Sequence, residues 1–312
     1  MNHPLLHQPI SLGSLTLKNR LVLPPMATEK SDKGQVTQAL VDYYGDMAQS
    51  GPALIIQEHC FVAPEGRASV HQIAFDERAD LDGLKRITAA VHQHHVPILA
   101  QLSHAGSAAH KALTGQEPLG PSAVLNPART ASAYGQPELP HPMGEKDLVR
   151  VRDAFAAAAL RAREAGYDGV EIHAAHGYLL NQFYSPLTNK RTDAYTGSTL
   201  EGRTRYLREV IQAVRAAVPA DFAVTLRLGG GDYMEGGSRP EVWNCCSRKA
   251  WTASACPAAC ASFSVPATRN PVILRNCPRP PKKRPGSRCS LPEASSQEIR
   301  QNTSWPPVRP IS

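Results

Sequence analysis

GVEIHAAHGYLLNQFYSPLTNKRTDAYTG, residues 169–197, is the stretch on which both the fold and the chemistry of this chain turn. A buried-strand run, residues 169–172, ends in His173, and His176 and Tyr178 follow within five residues. If the chain turns helical there, residues three apart share a face, so both imidazoles and the phenol can point into one cleft. A lone histidine belongs by default to core or surface, and a pair at this spacing can be half of a metal site. Two ligands do not make a zinc site, however, and no cysteine or third histidine lies close in sequence. The polar run 189–193 beyond it reads as a solvated loop.

Working outward, residues 146–165 form an Ala-rich helix ended by Gly166, placed just before the strand. Residues 200–218 are amphipathic and helical, and 222–228 form another strand that carries Arg227 into a run of glycines. Upstream, ISLGSLTL around Gly13 and Ser14 is a small hairpin suited to plugging the bottom of a barrel. Residues 20–23 read as a strand stopped by Pro24 and Pro25, 37–50 as a helix, and 53–56 as a fully apolar strand. Residues 80–94 are again helical, and 97–102 again a strand. The alternation of strand and helix is the rhythm of a parallel sheet, with five β units before the pattern stops. Between 103 and 143 periodicity disappears under Gly, Pro and Ser. A loop of that length after a strand end reads as a lid or substrate loop.

At 312 residues the chain has room for one α/β barrel of about 250 residues. The net charge of +7 hints at nucleic acid until it is split along the chain. Residues 241–312 hold 11 Lys and Arg against 3 Asp and Glu, leaving 23 against 24 for residues 1–240. The basicity belongs to the tail, and without aromatic–basic interleaving it does not read as a nucleic-acid surface. Cys60 is alone in the first 240 residues, which argues against a disulfide framework. No apolar run approaches a membrane span and no signal pattern opens the chain, so a cytoplasmic protein is expected. Residues 241–312, with 11 prolines and no period, are expected to bury no core. They read either as a disordered basic tail or, preferably, as an out-of-frame stretch beginning near Glu241.

LKNRLVLPPM (17–26), LIIQE (54–58), AQLSHAG (100–106), AGYDGVEIHAAHGYLLNQFYSPLTNKRTDAY (165–195) and VTLRLGGGDYMEGG (224–237) together resemble the old yellow enzyme family. These are FMN-dependent NAD(P)H:flavin oxidoreductases and ene-reductases, and residues 1–240 are similar to their N-terminal part. The resemblance implies a (β/α)8 TIM barrel with FMN across the C-terminal ends of the strands, here with about five β/α units. It implies that Pro25, Met26 and Ala27 lie along the flavin and that His59 sits where a small flavin-contacting residue is usual. Gln101 would bond the pyrimidine part of the ring, and Arg227 would hold its N1/O2 edge. His173 and His176 resemble the pair that grips the substrate's activating oxygen, and Tyr178 resembles the proton donor. NAD(P)H would be the hydride donor and a small electron-poor alkene or quinone-like molecule the acceptor, with homo-oligomerisation possible.

The sequence departs from the family at Ala27, where Thr or Cys is frequent, at Ser107, where Arg is common, and in TGSTLEGR (196–203). It shows no strands six to eight, nor the phosphate-binding loops that follow them. The chain as written is therefore expected to bind FMN weakly if at all, as a remnant of such an enzyme would.

Overall fold

In the computed structural model the structure describes residues 4–238, and the reading of 241–312 as an irregular tail lies outside the described residues. A short hairpin, β1 (Ile10–Leu12) and β2 (Leu15–Leu17), precedes β3 (Val22–Leu23), α1 (Gln38–Gln49), β4 (Leu54–Phe61), α2 (Leu81–His92) and β5 (Ile98–Ser103). Then come α3 (Lys111–Thr114), β6 (Leu119–Gly120), β7 (His141–Pro142), α4 (Glu145–Glu164), β8 (Gly169–Ala174), α5 (Leu179–Tyr184), α6 (Leu200–Ala217) and β9 (Ala223–Leu228). Strands β3, β4, β5, β8 and β9 form one parallel five-stranded sheet in chain order, with helical crossovers α1, α2, α4 and α6. The described residues thus supply five strand units of a (β/α)8 barrel.

Local chemistry sets the helix starts. Thr37, Asp80 and Thr199 each accept a hydrogen bond from the backbone N–H three residues on, at 3.3, 2.9 and 3.1 Å. Such a cap contributes roughly 1 kcal/mol. On the outer face of the sheet, Ile55, Ile98, Ala100, Leu102, Val170 and Ile172 pack with Leu40, Ile87, Phe155 and Val210 of the crossover helices in one buried cluster.

The inner face is layered by strand register. Ile56, Leu99, Gly169 and Ala223 are mutual neighbours across β4, β5, β8 and β9. Leu12 and Leu17 of the hairpin close this layer from the N-terminal end, which is the plug expected from the sequence. Gly169 is required here because a Cβ on it would strike the Ala223 carbonyl. The next layer toward the C-terminal ends is polar: His59, Gln101, Glu171 and Thr225. One step further lie His173 and Arg227, also register partners.

β4 runs to Phe61, five residues beyond the end expected at residue 56. The polar run Gln57–Glu58–His59 does not end the strand because each side chain finds a partner. Gln57 accepts from the Tyr167 hydroxyl, and Glu58 accepts from Thr28 and Tyr44. A bulge between Gln57 and His59 turns the latter inward beside Gln101. His59 accordingly sits within β4 rather than after it, and Gln101 and Arg227 lie within β5 and β9.

Candidate active site

His173 and His176 meet through a turn, not along a helix as the spacing suggested. His173 is still in β8, α5 starts only at Leu179, and His176 and Gly177 both take left-handed backbone, φ 59° and 67°. For a histidine that conformation costs roughly 1–2 kcal/mol. Side chains from two segments, the 126–129 loop and α5, offset it. Arg129 donates to the His176 carbonyl at 2.8 Å, and Asn181 Oδ1 accepts from Gly177 N–H at 2.7 Å. The Gly177 carbonyl accepts from Asn126 at 2.9 Å and from Gln182 at 2.7 Å. The turn folds the chain back so that His176 Nδ1 comes 3.2 Å from His173 Nε2.

Tyr178 joins them, its ring centroid 5.2 Å from that of His173 and 5.8 Å from that of His59, both edge-on. Arg129 lies over the phenol face at 4.9 Å. Burial, then the neighbouring charges of His176, Arg227 and Arg129, hold the His59 imidazole near a pKa of about 4. Desolvation of the ring by its packed neighbours, then the Arg227 and Arg129 charges, lower His176 to about 4 as well, although the residue as a whole is exposed. Burial pushes His173 well below its ordinary value. At neutral pH all three rings are uncharged, each carrying one N–H, and in the His173–His176 contact one ring gives its N–H to the other. The Tyr178 phenol is raised by burial, against the lowering pull of Arg129, so it carries its proton.

Beneath the turn, Gln101 Nε2 donates to Glu171 Oε1 at 2.7 Å, both side chains being buried. Burial raises the Glu171 carboxyl to about 7, opposed by the Gln101 hydrogen bond and the Arg227 charge. A cleft of about 350 Å³ is bounded by Asn126, Ala128, His176, Asn181, Arg227 and the glycine run 229–231, so His176 and Arg227 line it whereas Gln101, Glu171, His173 and Tyr178 do not. The 103–143 segment thus borders this cleft. Pro25 is half-buried, while Met26, 62% exposed, and Ala27 lie exposed where β3 ends, outside both the cluster and the cleft walls. Among the described residues no group of three or more His, Cys, Asp or Glu is arranged to hold a metal.

Residues 5–245 match the model of the NADH:flavin oxidoreductase / NADH oxidase family. The chain belongs to that family. It is 39% identical over 232 residues to a metal reductase of Desulforamulus reducens, and 38% identical over 240 residues to an NADPH dehydrogenase of Halalkalibacterium halodurans. These matches take in 74% and 76% of this chain, which spans only 33% of the former's length and 67% of the latter's. Among solved structures it is similar to the old yellow enzyme homologue of Zymomonas mobilis, with a TM-score of 0.70 and 30% identity, covering 76% of this chain and 67% of that one. The family's cofactor is FMN and its hydride donor NAD(P)H. The residues at the strand ends suit a flavin ring. Gln101 and Arg227 offer a hydrogen-bonding amide and a fixed cation, and His173 keeps a buried Nδ1 without a partner.

Two residues of the site escaped the sequence reading. Glu171 was visible as a charge inside the apolar run GVEIH, two residues before His173 and so on the same face. Arg129 carried no such signal, because its place depends on the path of a long loop. Among the described residues no helix is long and apolar enough to cross a membrane.

Proposed function

We propose that this chain is an FMN-dependent oxidoreductase site that passes hydride from NAD(P)H to an electron-poor alkene, an enone or enoate, or to a similar quinone-like acceptor. The observation that carries the reading is the clustering of two neutral imidazoles and a protonated phenol, with His176 of that cluster sharing the wall of one cleft with Arg227. FMN, when bound, supplies the two-electron carrier that accepts hydride from NAD(P)H and returns it to the acceptor.

Gln101 and Arg227 would hold the pyrimidine part of the ring, with Pro25, Met26, Ala27 and His59 along its sides. The substrate's activating oxygen would replace the contact between His173 and His176, so that each ring donates its one N–H to it. As uncharged donors they polarise the conjugated system and stabilise negative charge growing on that oxygen without surrendering a proton to it. Tyr178 gives its proton to the carbon next to the activating group. Its raised pKa suits a residue that delivers a proton only to a carbanion-like carbon. The turn that strains His176 keeps all three groups in one geometry before substrate arrives.

The test is anaerobic. NAD(P)H should bleach the flavin of the FMN-loaded chain, and 2-cyclohexenone should restore the oxidised spectrum. Bleaching without recovery by enones or quinones removes the acceptor class, and no bleaching removes the oxidoreductase reading.

A second reading is favoured by the topology: β9 has a strand partner on one side only among the described residues. In that reading the chain is a remnant that keeps the ring contacts but anchors FMN poorly. Flavin content after desalting separates the two, since a remnant emerges colourless.

A further inference from the structure

Glu171 has no task in the chemistry above, yet its side chain is placed with unusual care for a carboxyl. It is 1% exposed, inside the apolar strand β8. Burying a carboxyl there is costly unless partners compensate. Its partners are the two residues assigned above to the flavin. Gln101, opposite it on β5, donates to it at 2.7 Å. Arg227, two residues past its β9 partner Thr225 on the same face, acts on it through space, and the opposite charges favour each other's ionised form.

Ionised, as it is above about pH 7, the Glu171 carboxylate can only accept, whereas the primary amide of glutamine can present either end. Facing Glu171, Gln101 must turn its NH2 downward, which leaves its carbonyl Oε1 to accept from a ring N–H. A glutamine in place of Glu171 would satisfy Gln101 in either orientation, and the choice would be lost. The same carboxylate offsets part of the Arg227 charge from below.

We propose that Glu171 is a positioning residue for the flavin's pyrimidine edge, fixing the amide orientation of Gln101 and moderating the charge of Arg227. The proposal rests on the flavin reading above and goes beyond it in assigning the residue behind the ring contacts.

The test titrates FMN, by quenching of its fluorescence, into the full chain, Glu171→Gln, Gln101→Met and the double variant. Glu171→Gln should weaken FMN binding on the order of tenfold, the effect of one well-made hydrogen bond. In the Gln101→Met background the same change should have less than about a twofold effect on affinity, because the amide it orients is gone, while the effect on potential, which runs through Arg227, should persist. The bound flavin of Glu171→Gln should have a more positive midpoint potential, since an unmoderated Arg227 favours the reduced, anionic ring.

The unaltered chain gives a second measurement should Glu171→Gln fold poorly. Riboflavin, which has no phosphate to titrate, should bind more weakly as pH falls through about 7, where the Glu171 carboxyl, raised by burial, takes up a proton. The other groups facing it do not titrate there: Arg227 on β9 remains charged, and burial keeps His173 on β8 and His59 on β4 neutral, the latter down to about 4.

Equal FMN affinity and potential in Glu171→Gln, fully additive effects on affinity in the double variant, or a flat riboflavin profile would overturn the proposal while leaving the flavin reading standing. A parent chain that binds neither FMN nor riboflavin would overturn both.

Discussion

Along the inner face of the sheet, the layer of Ile56, Leu99, Gly169 and Ala223 is apolar and sealed by Leu12 and Leu17, whereas the next layer, His59, Gln101, Glu171 and Thr225, is polar. The same four strands build both, two residues apart on β5, β8 and β9 and three apart on β4, where the bulge intervenes. The lower layer excludes water and holds the strands in register. The upper layer accepts the cost of buried polar groups, which raises a carboxyl to about 7 and lowers an imidazole to about 4. Perturbed groups gathered at the C-terminal strand ends, over an inert floor, are what barrel enzymes use to separate stability from chemistry.

The sharpest way to break that division is to damage each layer alone. Leu99→Ala, in the fully buried floor, should cost about 2–5 kcal/mol of stability, read from urea denaturation. At temperatures where the variant stays folded, its FMN affinity should match the parent's. A floor residue that altered flavin binding selectively would mean the layers are not separable.

In the upper layer the expected losses are kinetic. Tyr178→Phe should slow reoxidation of reduced flavin by enone about 10²- to 10⁴-fold, the usual contribution of a positioned proton donor. Reduction by NAD(P)H needs no proton from the phenol and should proceed as in the parent. Equal loss in both half-reactions would make Tyr178 structural. For the imidazoles, His173→Ala and His176→Ala should each weaken binding of a phenol to the FMN-loaded chain on the order of tenfold, seen in the long-wavelength charge-transfer band. Unchanged titrations in both would remove the pair from the oxyanion role.

The smallest effect is on stability against pH. Imidazoles held neutral must charge in acid, and those of half-buried His59 and of His176 have folded values of about 4 against about 6.5 unfolded, the His176 share being the smaller because that residue is exposed to screening solvent. Their folded values are depressed, so the stability they contribute is intact above about 6.5 and is lost as pH falls toward 4. Glu171 acts with opposite sign, since its value is raised on folding and its protonation in acid favours the folded state. The difference between parent and His59→Gln isolates the imidazole: the variant's melting temperature should fall less between pH 7 and 4. Parallel curves would contradict the burial argument.

Much of this was legible in the residues themselves. Period and punctuation place α1, α2, α4 and α6 within a residue or two, because capping side chains and apolar spacing act locally. The histidines and Tyr178 stood out as chemistry-bearing residues at the end of an apolar strand. What failed was geometry set by distant partners. The left-handed turn at His176 is held by Asn126, Arg129 and Gln182, and no local rule names them. The extension of β4 through Glu58 depended on Thr28 and Tyr44. Glu171 could be seen as anomalous, but its partner Gln101, 70 residues earlier, follows only from strand register.

The claim that joins the two halves of the comparison is that FMN binds over the polar layer, against Arg227. Fluorescence titration of FMN into the full chain and into Arg227→Met tests it most directly. Saturable quenching by the parent, with an affinity at least about tenfold lower in the variant, is the expected result, as for loss of a charged hydrogen-bond donor. Superimposable titrations of the two proteins would show that flavin, if it binds, binds elsewhere.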